Sequence, residues 1–397
     1  MTTQVEFKSW ITHVQNPKVE RLLKEAAGSD IISLAGGLPS DEMFPTAEFE
    51  ASFERVMSEQ SSQALQYSWS EGYEPLRQQI AEYMQSRGVD ARPKEILITS
   101  GAQQALNLIS KLLVRPNDPI ALETPTYLAA IQAFELQEPR FCAVQRSDRG
   151  LVIDSFRYLL TRQSPKFFYL IPTGHNPTGA SLTEEQRLQI IDLATEYETF
   201  VIADEVYSEI QYSENARMLK SYDDVEDRIL HVGSFSKVLT PGLRVGWIVA
   251  TEDIIQRLTV IKQATDLQSS SMSQMVLSLY LKENSFEDHL SKCREFYRTR
   301  RDATVEALEQ YFPQEANWSN PDSGFSVWVE LPETLNADEL LKQAIKREVA
   351  FEPGGPFFPT EKHLNYMRIS FSHLDPDQIE EGIRRLSEVV KEEISKA

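Results

Sequence analysis

The sequence predicts an α/β protein in which a mostly parallel central sheet, flanked by helices, is joined to a smaller α+β unit. Three observations predict it. Short continuous apolar runs alternate with helical patterns from about Glu95, which is how strands buried on both faces of a parallel sheet read. After about Gln263 the pattern changes to long helices and then to a compact mixture of strands and helices. The chain has 397 residues, more than one hydrophobic core usually organises and enough for two packed lobes.

Taken in chain order, the first 45 residues are interrupted by Gly36, Gly37, Pro39 and Pro45, so they are expected to pack as an arm against the smaller unit or a neighbouring subunit. The strand runs are residues 95–99, 119–122, 167–171, 200–203, 229–232 and 245–249. Residues 183–198 read as a crossover helix, with Thr183 as N-cap, Gln186 in capping-box spacing, and Leu188, Ile191 and Ala194 recurring on one face. Long helices follow through Phe312. The tail then holds a strand at 325–331, a helix at 338–347, a strand at 366–371, and a last helix opened by Asp375 as N-cap and Pro376 at the first helical position. The expected division is an arm forming part of the small domain over 1–45, a large domain over 46–285 and a small domain over 286–397.

Composition narrows the function. Hydrophobic residues make up 41% and charged residues 25%, which are globular proportions. The net charge of −20 repels polyphosphate, so nucleic acid is an unsuitable partner and any phosphate bound must be held by a local pocket. The acidity itself reads as solubility. Only two cysteines, Cys142 and Cys293, occur far apart, which fits a reducing, cytoplasmic setting without a disulfide framework. No apolar run reaches the length of a membrane span, and residues 1–8 lack the apolar core of a secretory signal. The histidines show no i, i+4 ligand spacing, so no metal site is expected. No Gly-x-Ser-x-Gly segment is present.

Five segments carry chemistry. In the run from Gly233 to Arg244, a strand leads into a turn of small residues holding Ser234, Ser236 and Lys237, with Arg244 seven residues beyond the lysine. A lysine that is desolvated or near positive charge supplies a neutral amine for a Schiff base, and Ser with Arg suits a phosphate. A solvated lysine on a Ser-rich loop fits these residue types equally well. Ser100-Gly101-Ala102-Gln103-Gln104 follows a strand and opens a helix, where free N–H groups favour an anion. Pro172-Thr173-Gly174-His175-Asn176-Pro177-Thr178-Gly179 is a turn after a strand, which needs no function. Asp204 and Glu205 end a buried-type strand, where an unpaired carboxylate is costly. Arg368, within Tyr366-Met367-Arg368-Ile369-Ser370, offers a planar fork for a carboxylate, although a structural ion pair serves as well.

In register, these segments resemble the pyridoxal-phosphate (PLP) aminotransferases of fold type I, the class I and II family, over nearly the whole chain. The resemblance implies PLP as cofactor, joined to Lys237 as a Schiff base. It implies Asp204 on the pyridinium N–H, Asn176 and Tyr207 on the phenolic oxygen, and Tyr127 stacked on the ring. Ser100, Gly101, Ala102, Gln103, Ser234, Ser236 and Arg244 then form the phosphate cup, and Tyr67 reaches the phosphate from a second subunit of a homodimer. Arg368, with Asn176 and the backbone of Gly37, takes the substrate α-carboxylate. Lys237, Asp204 and Tyr207 are the catalytic set, and His175 lines the pocket.

Ala35-Gly36-Gly37-Leu38-Pro39, Leu65-Gln66-Tyr67-Ser68 and residues 351–358 are similar to the 2-aminoadipate/kynurenine subgroup, which implies broad amino donors (aromatic, branched or 2-aminoadipate-like) and 2-oxoglutarate as an acceptor. Glu20, with Arg21 beside it, falls where members preferring acidic side chains use an Arg, and residues 266–274 lack the basic residue of aspartate enzymes. Alternatives on the same fold are a PLP lyase of the C–S β-lyase or cyclopropane synthase type, and a PLP-binding regulator. The regulator's extra DNA-binding domain finds no room before the fold begins.

Overall fold

The computed structural model describes residues 31–147, 150–213, 216–223 and 227–396. Glu20, Arg21 and the first two-thirds of the expected arm lie outside the described residues. The arm's remainder begins with β1 (Ile32–Ser33), followed by α1 (Thr46–Ala64) and α2 (Glu74–Ser86). Then comes the alternating region: β2 (Ile96–Thr99), α3 (Ala102–Leu113), β3 (Pro119–Thr124), α4 (Leu128–Glu135), β4 (Arg140–Ser147), β5 (Gly150–Leu151), α5 (Ile153–Gln163), β6 (Phe167–Leu170), α6 (Glu184–Glu196), β7 (Phe200–Asp204), β8 (Ile229–Ser234) and β9 (Gly246–Val249). Helices α7 (Glu252–Thr265), α8 (Ser271–Glu283) and α9 (Phe286–Tyr311) lead to the tail. It contains β10 (Asn317–Trp318), β11 (Ser326–Glu330), α10 (Ala337–Lys346), β12 (Val349–Ala350), β13 (Glu352–Pro353), β14 (Tyr366–Ser370) and α11 (Pro376–Ile394).

The large sheet runs β2-β9-β8-β7-β6-β3-β4-β5. Its strands are parallel except β9, which opposes both neighbours, and β5. Each expected strand run falls on one of these strands. The unexpected one is β4, whose exposed positions interleave with buried Cys142 and Val144 and whose Arg140 and Arg146 break any continuous apolar run. Helix α6 opens as expected, with Thr183 and Gln186 forming the reciprocal capping box. Its buried face, however, is Arg187, Ile190, Leu193 and Ala194, and Leu188 is exposed. The apolar pattern lies one position off because the guanidinium of Arg187 enters the interior, where it donates to the Pro172 carbonyl and the Thr173 hydroxyl.

The sheet is buried on both faces. Alternate residues of β6 and β7 separate cleanly: Phe167, Tyr169 and Ile202 pack with Leu106, Phe134 and Leu258 on one side, whereas Phe168, Leu170 and Val201 meet Phe156 and Ile190 on the other. The small sheet runs β10-β11-β14-β13, and its core joins Val327, Val329, Met367 and Ile369 to Leu341, Ile383 and Leu386 of α10 and α11. Strand β1 pairs in parallel with β12, so this part of the arm packs against the tail.

Candidate active site

The alternation in β7 separates the two rival carboxylates. Asp204 lies on the face of Ile202 and accepts a 2.8 Å hydrogen bond from the hydroxyl of Tyr169 in β6. Glu205 turns the other way, towards Arg187, and accepts from the Leu219 backbone N–H at 2.7 Å. Asp204 is 2% exposed, and burial pushes its carboxyl up to about 6 although the Tyr169 hydroxyl favours the ionised form. Its second oxygen, Oδ1, is buried with no hydrogen-bond partner among the described residues. A buried acceptor of this kind is complementary to a protonated ring nitrogen.

Lys237 sits in the turn after β8. Its Nζ donates to the Gly37 carbonyl at 2.8 Å and lies 5.7 Å from the ring centre of Tyr207 and 5.9 Å from that of Phe325. Burial, reinforced by the nearby charge of Arg368, lowers the amine to about 8, so roughly a tenth of it is neutral at pH 7. The turn is held by the Ser236 N–H donating to Ser234 Oγ at 3.1 Å.

An anion cradle adjoins it. Strands β2, β7 and β8 all run towards the same edge, so the chain segments leaving their C-terminal ends converge there. Gly101, with φ +84°, turns the chain from β2 into α3, whose first N–H groups have no intrahelical acceptor. A Cβ on Gly101 would press on Arg244 Nη2 and displace that guanidinium, and the left-handed φ itself favours glycine. Arg244 bridges the turns, donating to the Ser100 carbonyl at 3.1 Å and to Ser236 Oγ at 3.4 Å. Gln103 turns its side chain away, donating to the Ala129 carbonyl at 2.7 Å, so it and Ala102 have only their backbone N–H groups to offer here. Behind the turn, Asp266 pairs with Lys262 at 2.9 Å, so residues 266–274 open on an acid already neutralised by a buried lysine.

Across the site, Arg368 projects from the middle of β14. Its Nη1 donates to Asn176 Oδ1 at 3.0 Å, its Nη2 donates to the Ala35 carbonyl at 3.0 Å and also pairs with Glu352, and the ring centre of Phe357 lies 5.2 Å from its Cζ. Gly37 covers the guanidinium, since a Cβ there would lie 3.6 Å from Nη1. Tyr127 and Tyr207 lie within the same electrostatic neighbourhood. Burial, then the charge of Asp204, pushes the Tyr127 phenol up to about 12, and burial raises that of Tyr207 as well.

The structure therefore brings together Lys237, Asp204, Tyr127, Asn176, Tyr207, Arg368, Gly37 and the cradle of Ser100, Gly101, Ser236 and Arg244. Tyr67 is the exception, being 75% exposed with its backbone N–H on its neighbour Gln66. His175 is held in a buried network, 2.8 Å from Thr178 Oγ1 and 3.5 Å from Glu123, where burial keeps it neutral. Sequence reasoning did not find Tyr169, Phe325, Phe357 or Glu352. Tyr169 has a usable signal, a polar-tipped residue in a run of buried apolar ones; Glu352 and Phe357 lie within the segment 351–358 already singled out, and Phe325 has none beyond its proximity in space.

Known proteins resemble this chain in sequence and fold. The family model for aminotransferase class I and II matches residues 29–386. An aromatic-amino-acid aminotransferase of Thermococcus litoralis is 38% identical over 96% of the chain and 92% of its own length. A 2-aminoadipate transaminase of Thermus thermophilus is 39% identical over 95% of the chain and 94% of its own length. The crystal structure of an alpha-aminoadipate aminotransferase, also of Thermus thermophilus and complexed with N-(5'-phosphopyridoxyl)-L-leucine, superposes with a TM-score of 0.92 at 38% identity, covering 98% of both chains.

Proposed function

The chain belongs to the class I and II aminotransferases and is a PLP-dependent enzyme acting on amino and 2-oxo acids, and from that premise we propose how its residues divide the work. The observation that carries the proposal is the free, buried Oδ1 of Asp204 within the site that holds the lowered amine of Lys237. Bound PLP supplies an electron-accepting ring and an aldehyde carbon that takes up the amino nitrogen. Asp204 holds the proton on the ring nitrogen. Tyr207 and Asn176 would serve the phenolic oxygen, and Tyr127 would pack against the cofactor. Ser100, Gly101, Ala102, Gln103, Ser234, Ser236 and Arg244 hold the phosphate through backbone N–H groups, hydroxyls and one guanidinium. Lys237 would anchor the cofactor through its Nζ, and the same amine would take up and return the proton of the substrate Cα. Arg368, with Asn176 and Gly37, orients the α-carboxylate so that the Cα–H faces the lysine.

The proposed donors are aromatic, branched and 2-aminoadipate-like amino acids, with 2-oxoglutarate as an acceptor, by analogy with the named relatives. We assign the large domain to 46–285 and the small one to 286–397 with the arm. Leu65, Tyr67 and Trp69 are at least 71% exposed, and large apolar side chains left in water this close together in sequence support a homodimer in which Tyr67 completes the partner's phosphate cup. The free, buried cysteines suit the cytoplasm.

The test is a half-reaction screen: holoenzyme is mixed with single amino acids, and the change in visible absorbance of the bound cofactor is followed with the 2-oxo acid released. Continuous product formation is expected only when a second 2-oxo acid is present. Pyruvate and ammonia formed without one would reject amino transfer. In the cradle, Gly101→Ala is expected to weaken PLP retention about tenfold or more, because a strained φ and a displaced Arg244 together cost on the order of 1–3 kcal/mol. Equilibrium dialysis measures it, and undiminished retention would remove Arg244 and this turn from the cup.

A further inference from the structure

We propose that Glu352 is an internal competitor for the substrate's carboxylate: it occupies Arg368 in the free enzyme, yields when substrate binds, and so sets carboxylate affinity. The inference rests on the reading of Arg368 as the carboxylate-binding residue.

Strands β13 and β14 pair antiparallel with Glu352 directly opposite Arg368, so both side chains leave the same face of the sheet. Glu352 pairs with Nη2, and the same nitrogen donates to the Ala35 carbonyl at 3.0 Å. Both hydrogens of Nη2 are therefore engaged. A carboxylate gripped at two points needs adjacent N–H groups, either Nη1 with Nη2 or Nε with Nη2, and both arrangements use Nη2. One of its two partners has to leave.

Ala35 is not the one that moves. Its carbonyl belongs to a backbone stitched to the small domain by Leu34 N–H donating to the Ala350 carbonyl and Ser370 N–H donating to the Leu34 carbonyl, both at 2.7 Å. Glu352 is a flexible side chain at 19% exposure, against 9% for Arg368, so it has a route to water. Two carboxylates on one guanidinium also repel each other, which favours departure of the resident one. The Nε of Arg368, buried and without a partner among the described residues, then supplies a second donor. Amino donor and 2-oxo acceptor carry the same carboxylate, so the competition acts on both alike and belongs to KM rather than kcat.

The experiment uses holoenzyme and a non-reacting carboxylate, 3-phenylpropionate, with its amide as control, titrated calorimetrically. Glu352→Gln keeps the side chain's shape and an acceptor for Nη2 while removing the charge; Glu352→Ala is run beside it in case the first fails to fold. Each is expected to bind the carboxylate about tenfold more tightly than wild type with the amide unchanged, and the KM values for amino acid and 2-oxo acid are expected to fall together. Equal or weaker carboxylate affinity in the folded variants would overturn the proposal and make Glu352 an orienting partner of Arg368. Arg368→Gln separates the premise: if carboxylate affinity survives in it, the assignment of Arg368 fails and takes this inference with it. If affinity is lost there yet unchanged in the Glu352 variants, only the competition fails.

Discussion

Replacing Lys237 with alanine is expected to lower amino transfer by at least about 10²–10⁴-fold, the range a positioned general base contributes, while the fold and weak PLP binding persist. The reason lies in the turn after β8. No other amine is recorded against Tyr207 and Phe325 among the described residues, and none could take over the Cα proton. Lys237→Arg separates charge from basicity, because a guanidinium keeps the positive charge but stays protonated. Both variants are expected to be inactive and to escape borohydride fixation of the cofactor. Capture of pyridoxal by the wild-type apoprotein should follow the neutral amine, rising with pH through a midpoint of about 8 rather than the ordinary 10.5. A midpoint near the ordinary value would mean that burial and Arg368 do not act on this amine.

The second large effect belongs to Asp204, where activity and stability are expected to move in opposite directions. Asp204→Asn keeps the shape and the contact with Tyr169 but removes the charge proposed to hold the ring proton, and kcat is expected to fall at least about a hundredfold. The apoprotein behaves otherwise. The carboxyl is raised from 3.8 to about 6 in the folded state, so the native form binds its proton more tightly than the unfolded form does. Its ionised form therefore destabilises the apoprotein above pH 6, and the cost is relieved as pH falls through about 6 towards 3.8. Asp204→Asn is expected to stabilise the apoprotein at pH 8 by on the order of 1–2 kcal/mol, with the gain shrinking below pH 6. Thermal unfolding of apo forms across this pH range measures it. A variant less stable than wild type at pH 8 would show that Oδ1 is not the unsatisfied group.

Much of this was legible in the sequence wherever one stretch of chain carries both the element and its chemistry. The apolar runs around 167–171 and 200–203 announce strands because burial on both faces leaves little room for polar side chains, and the candidate functional turns follow them directly. The lysine turn, the Gly101 turn and the Asn176 turn were readable for that reason. Strand β4 was not, because an exposed arginine, Arg140, and a buried one paired with Glu123, Arg146, interrupt its apolar run. The buried face of α6 was misplaced because a buried arginine counts as polar in any periodicity.

By itself the sequence determined the α/β plan, the family and the candidate residues proposed here to bear the chemistry, since these depend on local patterning and short motifs. Only the tertiary structure decided which groups meet: Tyr169 with Asp204, 35 residues apart, Gly37 with Lys237, 200 apart, and Glu352 with Arg368 across two strands. The physical reason is that hydrogen-bond partners and burial, hence pKa shifts and vacant donors, are set by strand register and packing between distant segments. Residue type and spacing along the chain carry no record of that register.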